Sequence, residues 1–255
     1  MRFASLGSGS EGNALVVQAG PTCVLMDCGF NLAETAARLA RLGLSVNRLN
    51  GIVVTHEHSD HIAGVARLAQ KYSIPVWLTH GTRRAYSKAL ACLTNVTEIH
   101  PQQLFSIGEL QVQPYAVPHD ANEPVQYVFS DGVKRLGVLT DAGSSTPHIE
   151  ATLNGCDALV LECNHDVEML AQGSYPPGLK RRVGGRLGHL NNADAAALLA
   201  RLDNRRLQHI VAAHLSRKNN TRELAVAALS MALNCSMDWI AVATQQHGLD
   251  WREIA

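Results

Sequence analysis

A short apolar run, Gly-Ile-Val-Val at residues 51–54, ends on Thr-His-Glu-His-Ser-Asp-His and passes into a helix-forming stretch, Ile62 to Lys71. Residues 55–61 constrain the fold more than any other stretch. Three imidazoles and a carboxylate at fixed spacing are useful only if rigid elements hold them. GIVVTH reads as a buried strand. Side chains two apart on an extended chain point the same way, so His56 and His58 share a face. Asp60 and His61 then fall in the turn that starts the next helix. One loop can thus face two neighbouring cations, His56 and His58 toward one, Asp60 and His61 toward the other. Imidazole with carboxylate suits zinc, manganese or iron.

Two cations need more than four ligands. The other candidates share one kind of place, the end of an apolar run. Asp27 ends CVLMD, His119 follows YAVP, Asp141 ends LGVLTD and His214 ends HIVAAH. Groups at strand ends sit on rigid elements and can converge at one sheet edge. The rest of the chain has the same grain. RFASL, ALVVQ and CVLMDCG read as short strands with tight antiparallel turns between them. Leu32–Arg41 and Thr82–Leu90 read as helices. VWLTH, ELQVQPYAV, VQYVFS, KRLGVLTD, CDALVLE and HIVAAH read as strands. Helices are expected over Ala193–Leu202 and Thr221–Leu233, and DWIAVAT closes with a strand. Two similar halves of mixed strands and helices predict two packed sheets with helices outside, an α/β sandwich. No repeat or linker divides the chain, so one domain over residues 1–255 is expected.

Charge narrows the partners. The 22 basic residues balance 22 acidic ones, so nucleic-acid binding requires a local basic patch. No apolar run approaches the roughly 20 residues of a membrane span. MRFASLGSGS lacks the apolar core of an export signal, which predicts a cytoplasmic chain with reduced thiols. The six cysteines form no Cys-x-x-Cys pair, which argues against a zinc–thiolate site.

Residues 158–196 carry a second set of polar groups. Glu162 ends the strand ALVLE. His189 precedes a helix for which Asn191 or Asn192 is the candidate N-cap. Brought together, Glu162 would orient and charge His189, and the pair could protonate a leaving 3′ oxygen. Between them lie Lys180, Arg181, Arg182 and Arg186, with Gly178, Gly184, Gly185 and Gly188. This reads as a flexible basic loop suited to phosphate contacts; a solvated charged face is the plainer alternative. His165 either joins the site, supports it from behind or competes with His189 as proton donor. In GSGSEGN, Ser8, Ser10 and Asn13 either cradle an anion with their backbone N–H groups or form a hairpin turn. The sequence does not support base stacking in a single-strand channel, for which Tyr175, in the basic loop, is the one candidate.

THEHSDH, followed in order by His119, Asp141 and His214 and preceded by Asp27, resembles the metallo-β-lactamase superfamily. The fold this implies is the αββα sandwich, two mixed sheets flanked by helices. The resemblance also implies two divalent ions, zinc or manganese. His56, His58 and His119 would hold one and Asp60, His61 and His214 the other. Asp141 would bridge them, and Asp27 would orient the histidine loop from behind. Two ions about 3.5–4 Å apart share a water and lower its pKa; the bridging hydroxide would be the nucleophile, with Asp60 aiming it.

LGSGSEGN, THEHSDH, PHDANEP, ECNHDVEML, YPPGLKRR and GHLNNADAA together resemble the YycJ/WalJ branch, linked to 5′-to-3′ exonuclease activity on DNA. The expected protein is therefore a binuclear phosphodiesterase. Asp60, Glu162 and His189 would be catalytic, Lys180, Arg181, Arg182, Ser8 and Asn13 would contact substrate, and DNA is favoured over RNA. GHLN at 188–191 departs from the GHST of transfer-RNA 3′-processing nucleases, and no transfer-RNA arm is evident. Only 72 residues separate Asp141 from His214, too few for a branch with an inserted second domain. The alternatives are an RNA-processing nuclease and a small-molecule hydrolase of thioesterase or lactonase type. The latter predicts an apolar pocket and indifference to loss of Arg181 and Arg182. A non-catalytic binding module would be expected to lack ligands, and all seven are present.

Overall fold

The computed structural model describes residues 1–255. The chain opens with three antiparallel strands, β1 (Arg2–Gly7), β2 (Ala14–Ala19) and β3 (Thr22–Met26). β4 (Gly51–Val53), β5 (Val76–Thr79) and β6 (Val96–Ile99) extend that sheet in parallel. The second sheet repeats the plan. β7 (Phe105–Ile107), β8 (Leu110–Ala116), β9 (Val125–Ser130) and β10 (Arg135–Leu139) are antiparallel. β11 (Ala158–Glu162), β12 (His209–Ala213) and β13 (Ile240–Val242) then add in parallel. β14 (Leu249–Glu253) returns to the first sheet beside β1. The orders are β14-β1-β2-β3-β4-β5-β6 and β13-β12-β11-β10-β9-β8-β7.

Three apolar layers hold these parts together. Phe3, Val17, Val24 and Val53 of the first sheet meet Val112, Tyr127, Phe129 and Val160 of the second. The opposite face of the first sheet, with Leu6, Val16, Leu25 and Ile52, packs on Leu39, Val65 and Leu68. The opposite face of the second, with Leu139, Leu159, Leu161 and Ile210, packs on Ile149, Leu198 and Leu229. Both faces of each sheet are covered, which is why the parallel strands read as unbroken apolar runs. The expected sandwich of two mixed sheets with helices outside is the observed fold.

Helix ends follow local chemistry. Asn31, Asn191 and Thr221 accept from the backbone N–H three residues on and start the helices Leu32–Arg41, Asn192–Arg201 and Arg222–Leu233. Other expectations need correction. The helix expected over Ile62–Lys71 is two pieces, Ser59–Ile62 and Val65–Tyr72. The break is at Gly64, where the backbone crosses the 28–30 turn so closely that a Cβ would sit 2.0 Å from the Phe30 carbonyl oxygen. The Thr82–Leu90 stretch divides into His80–Ala85 and Ser87–Leu90. The expected flexible basic loop contains a helix, Pro177–Val183, whose first turn is set by proline. DWIAVAT is not the last strand; β14 follows it.

Strand direction positions the site. β3 and β4 run parallel, as do β10, β11 and β12. β8 and β10 both run against β9, so they also share a direction. Asp27, the 55–61 loop, His119, Asp141 and His214 all follow the C-terminal ends of these strands, and Glu162 is the last residue of β11. No helix is long and apolar enough to cross a membrane.

Candidate metal centre and active site

Four histidines are fixed through Nδ1. His61 Nδ1 lies 2.8 Å from Asp27 Oδ2 and His214 Nδ1 3.0 Å from Glu162 Oε1. His119 Nδ1 donates to the Gly188 carbonyl at 3.0 Å. The Thr55 hydroxyl donates to Asp27 at 2.8 Å, so it accepts from His56 Nδ1 at 2.9 Å. Each ring thereby turns Nε2 inward, the arrangement of an imidazole ligand backed by an acceptor. His58 is reversed: its Nδ1 lies 3.2 Å from His119 Nε2, and its Nε2 lies 3.9 Å from Asp120.

The possible ligand atoms fall into overlapping groups, each within 4.8 Å: His56–His58–His119, Asp60–His61–His214 and His56–His61–Asp141. A fourth joins Asp141, Glu162, His189 and His214. Asp141 lies between the sets, with Oδ2 3.0 Å from His61 Nε2 and Oδ1 3.9 Å from His119 Nε2. Three strand-end residues reach inward through left-handed backbone: Asp27 (φ 61°), Asp141 (φ 51°) and His214 (φ 55°). Such a conformation costs about 1–3 kcal/mol at a non-glycine residue and persists where surrounding structure enforces it.

The donor set fits divalent cations. His56 Nε2 and His214 Nε2 are buried with no hydrogen-bond partner, and Asp141 Oδ2, also buried, has only His61 Nε2 at 3.0 Å, in an alignment that makes no hydrogen bond. Each such atom costs about 1–3 kcal/mol unless something satisfies it. The charges agree. Burial opposes ionisation of Asp60, yet the neighbouring imidazoles of His214 and His61, at 3.6 and 3.5 Å, hold its pKa far below the ordinary value. Burial likewise opposes charge on His61, His189 and His214, and the surrounding carboxylates outweigh it, raising all three; His214 reaches about 10. A cage with four carboxylates, Asp27, Asp60, Asp141 and Glu162, calls for positive charge at its centre.

Glu162 is fully buried and its carboxylate is saturated. Oε1 lies 2.8 Å from His189 Nδ1 and 3.0 Å from His214 Nδ1. Oε2 accepts from the backbone N–H groups of Ala142 (2.9 Å) and Leu190 (3.1 Å). The Glu162–His189 pair foreseen in the sequence is thus in contact, and the same carboxylate also braces His214. His189, 22 % exposed, faces a cleft of about 320 Å³ over the cage. Asp60, Asp120, Asn164, Tyr175, Arg182 and Ser216 also line it.

Other expected residues lie elsewhere. The side chains of Ser8 and Asn13 are engaged within the protein. Ser8 Oγ accepts from the His214 backbone N–H at 2.8 Å. The Asn13 amide bonds Gly9 at 2.9 Å and Asp60 Oδ2 at 3.1 Å. Both brace the cage, because the Gly-rich turn packs against it. Of the basic group only Arg182 lines the cleft, with Nε 2.6 Å from Asp120 Oδ2. Lys180 is turned away and donates to the Ala171 carbonyl at 2.6 Å, and Arg181 is not among the lining residues. His165 is buried behind the cleft with Nδ1 3.3 Å from Asn164 Oδ1. Sequence reasoning missed Asp120, although an acid directly after His119 was a visible signal, and missed Thr55, whose hydroxyl links Asp27 to His56.

A family model described as a Beta-lactamase superfamily domain matches residues 22–210. The chain is 36% identical to exodeoxyribonuclease YycJ of Bacillus anthracis, over 98% of this chain and 96% of that one. It is 34% identical to exodeoxyribonuclease WalJ of Streptococcus pneumoniae serotype 2, over 88% and 85%. The crystal structure of YhfI from Bacillus subtilis, a metallo-beta-lactamase fold protein, superposes with a TM-score of 0.76 at 16% identity, covering 98% of both chains.

Proposed function

The chain belongs to the metallo-β-lactamase superfamily, in its YycJ/WalJ branch, and we propose that it is a divalent-metal-dependent exodeoxyribonuclease acting from the 5′ end. The observation that carries this reading is His189, backed by the buried Glu162 carboxylate at 2.8 Å, opening on the same cleft as two sets of ligand atoms. His56, His58 and His119 would hold one ion, Asp60, His61 and His214 the other, and Asp141 both. Zinc or manganese suits this donor set. Such ions supply Lewis acidity and lower the pKa of water.

The chain's own residues divide the remaining work. Asp60, which lines the cleft, aligns the attacking water and takes its proton. Water adds to phosphorus as the bond to the 3′ oxygen breaks. His189, with Nδ1 committed to Glu162, gives its Nε2 proton to that oxygen. Arg182 exchanges the Asp120 carboxylate for a substrate phosphate. Ser8 and Asn13 keep His214 and Asp60 in place.

The test is degradation of 5′-phosphorylated DNA, labelled at either end, by the manganese-loaded protein and by Asp60→Ala. Release of nucleotides from the 5′ end by the wild type alone supports the reading. Intact DNA beside cleavage of a generic thioester or lactone would place the chain among the small-molecule hydrolases.

A further inference from the structure

The helix Pro177–Val183 buries none of its residues. A helix of two turns has little stability of its own; its contacts with the rest of the protein hold it at the cleft. The Arg182 side chain reaches Asp120, and the His189 backbone N–H returns to the Val183 carbonyl at 2.9 Å. All three apolar residues that line the cleft come from this segment: Tyr175, Leu179 and Val183. Leu179 and Val183, four apart, share one face of the helix, and Tyr175 sits in the bend just before it. Leu179 remains 36 % exposed. The other lining residues, Asp60, Asn164 and Ser216 among them, are polar. Lys218 Nζ lies 5.6 Å from the centre of the Tyr175 ring.

Apolar side chains gathered in a polar active cleft need an occupant. A nucleotide has the same two sides, an apolar base face and an anionic phosphate. The cleft, about 320 Å³, is on the scale of one nucleotide. Cations stand on the same wall at Arg182 and beside it at Lys218, where a strand's phosphates would pass. We propose that Tyr175, with Leu179 and Val183, is a stacking wall for the nucleobase beside the scissile phosphate, so that the protein selects DNA with an unpaired end. The inference rests on the nuclease reading above. A paired base must leave its stack to reach such a wall, and that costs least where it is already unpaired.

The test uses the metal-loaded protein and 5′-phosphorylated strands with cleavage-resistant phosphorothioate linkages. Affinity is read by fluorescence anisotropy for an intact strand and for one abasic at its first two positions. Tyr175→Ala should weaken binding of the intact strand on the order of tenfold, while Tyr175→Phe binds as the wild type does. The abasic strand should bind the wild type weakly and lose nothing further in Tyr175→Ala. In cleavage assays the loss should appear in KM rather than kcat. An unpaired end should be preferred to a blunt duplex by the wild type and not by Tyr175→Ala. Equal losses for intact and abasic strands, or no loss in Tyr175→Ala, would overturn the stacking wall alone. A wild type that cuts no DNA removes the nuclease reading and this inference with it.

Discussion

Asp27 and His61 meet at 2.8 Å across 34 positions of sequence, both buried. The contact sets which nitrogen of His61 faces the cage. The same carboxylate accepts from the Thr55 backbone N–H and hydroxyl, each at 2.8 Å, so one side chain aligns the start of the histidine loop. Asp27→Asn keeps the size and loses the charge. It should lower divalent-ion affinity about 10- to 100-fold, as loss of a group behind a ligand does. Metal analysis after dialysis against graded chelator would show this, and a retained cooperative melt would separate it from unfolding.

Removing the proton donor should leave metal retention intact. His189→Ala is expected to lower kcat about 10²- to 10⁴-fold on DNA while bound metal stays at the wild-type level. A substrate with a nitrophenolate leaving group needs no proton and should be cut at near-normal rate. Glu162→Gln should differ by losing metal as well, because Glu162 also holds His214. Equal impairment of His189→Ala on both substrates would remove it from the role of acid.

Cation uptake should expel protons. In the cation-free protein Asp141, Asp60 and Glu162 raise His214 to about 10 against the effect of burial, so it carries a proton at neutral pH. A ligand imidazole must be neutral. Binding at pH 7 should therefore release at least one proton, and affinity should rise about tenfold per pH unit per proton released until pH approaches that value. Calorimetry in two buffers of different ionisation enthalpy measures the release; identical heats would contradict it.

The thiols should sort by burial. Burial pushes Cys23, Cys28 and Cys156 up to about 11, and Cys163 above the ordinary thiol range. Cys92 is exposed. A thiol reagent at pH 8 should modify Cys92 first, and those four only after unfolding. Peptide mapping at partial reaction gives the order.

The parts of the site legible in the sequence were those fixed by local geometry. His56 and His58 follow a strand with period two, and Asp27, Asp141 and His214 end apolar runs that parallel strands bring to one edge. What was illegible depended on distant partners. Ser8 and Asn13 read as loop residues open to a ligand, but their partners lie 206 and 47 positions away. Glu162 read as a partner of His189 alone, because its second bond, to His214, crosses between strands. β14 was hidden for a similar reason. Its Asp250, Arg252 and Glu253 are exposed, and only pairing with β1 makes the segment a strand. The basic segment read as a loop because its glycines outweighed Pro177 at the helix start.

The left-handed residues at the strand ends give durability and function opposite interests. Glycine adopts that backbone freely, and at 141 and 214 it would also delete a buried atom that lacks a hydrogen-bond partner in the cation-free protein. A population of variants selected only for surviving heat, with divalent ions withheld, should drift toward glycine at these two positions and lose its ligands while keeping its sheets.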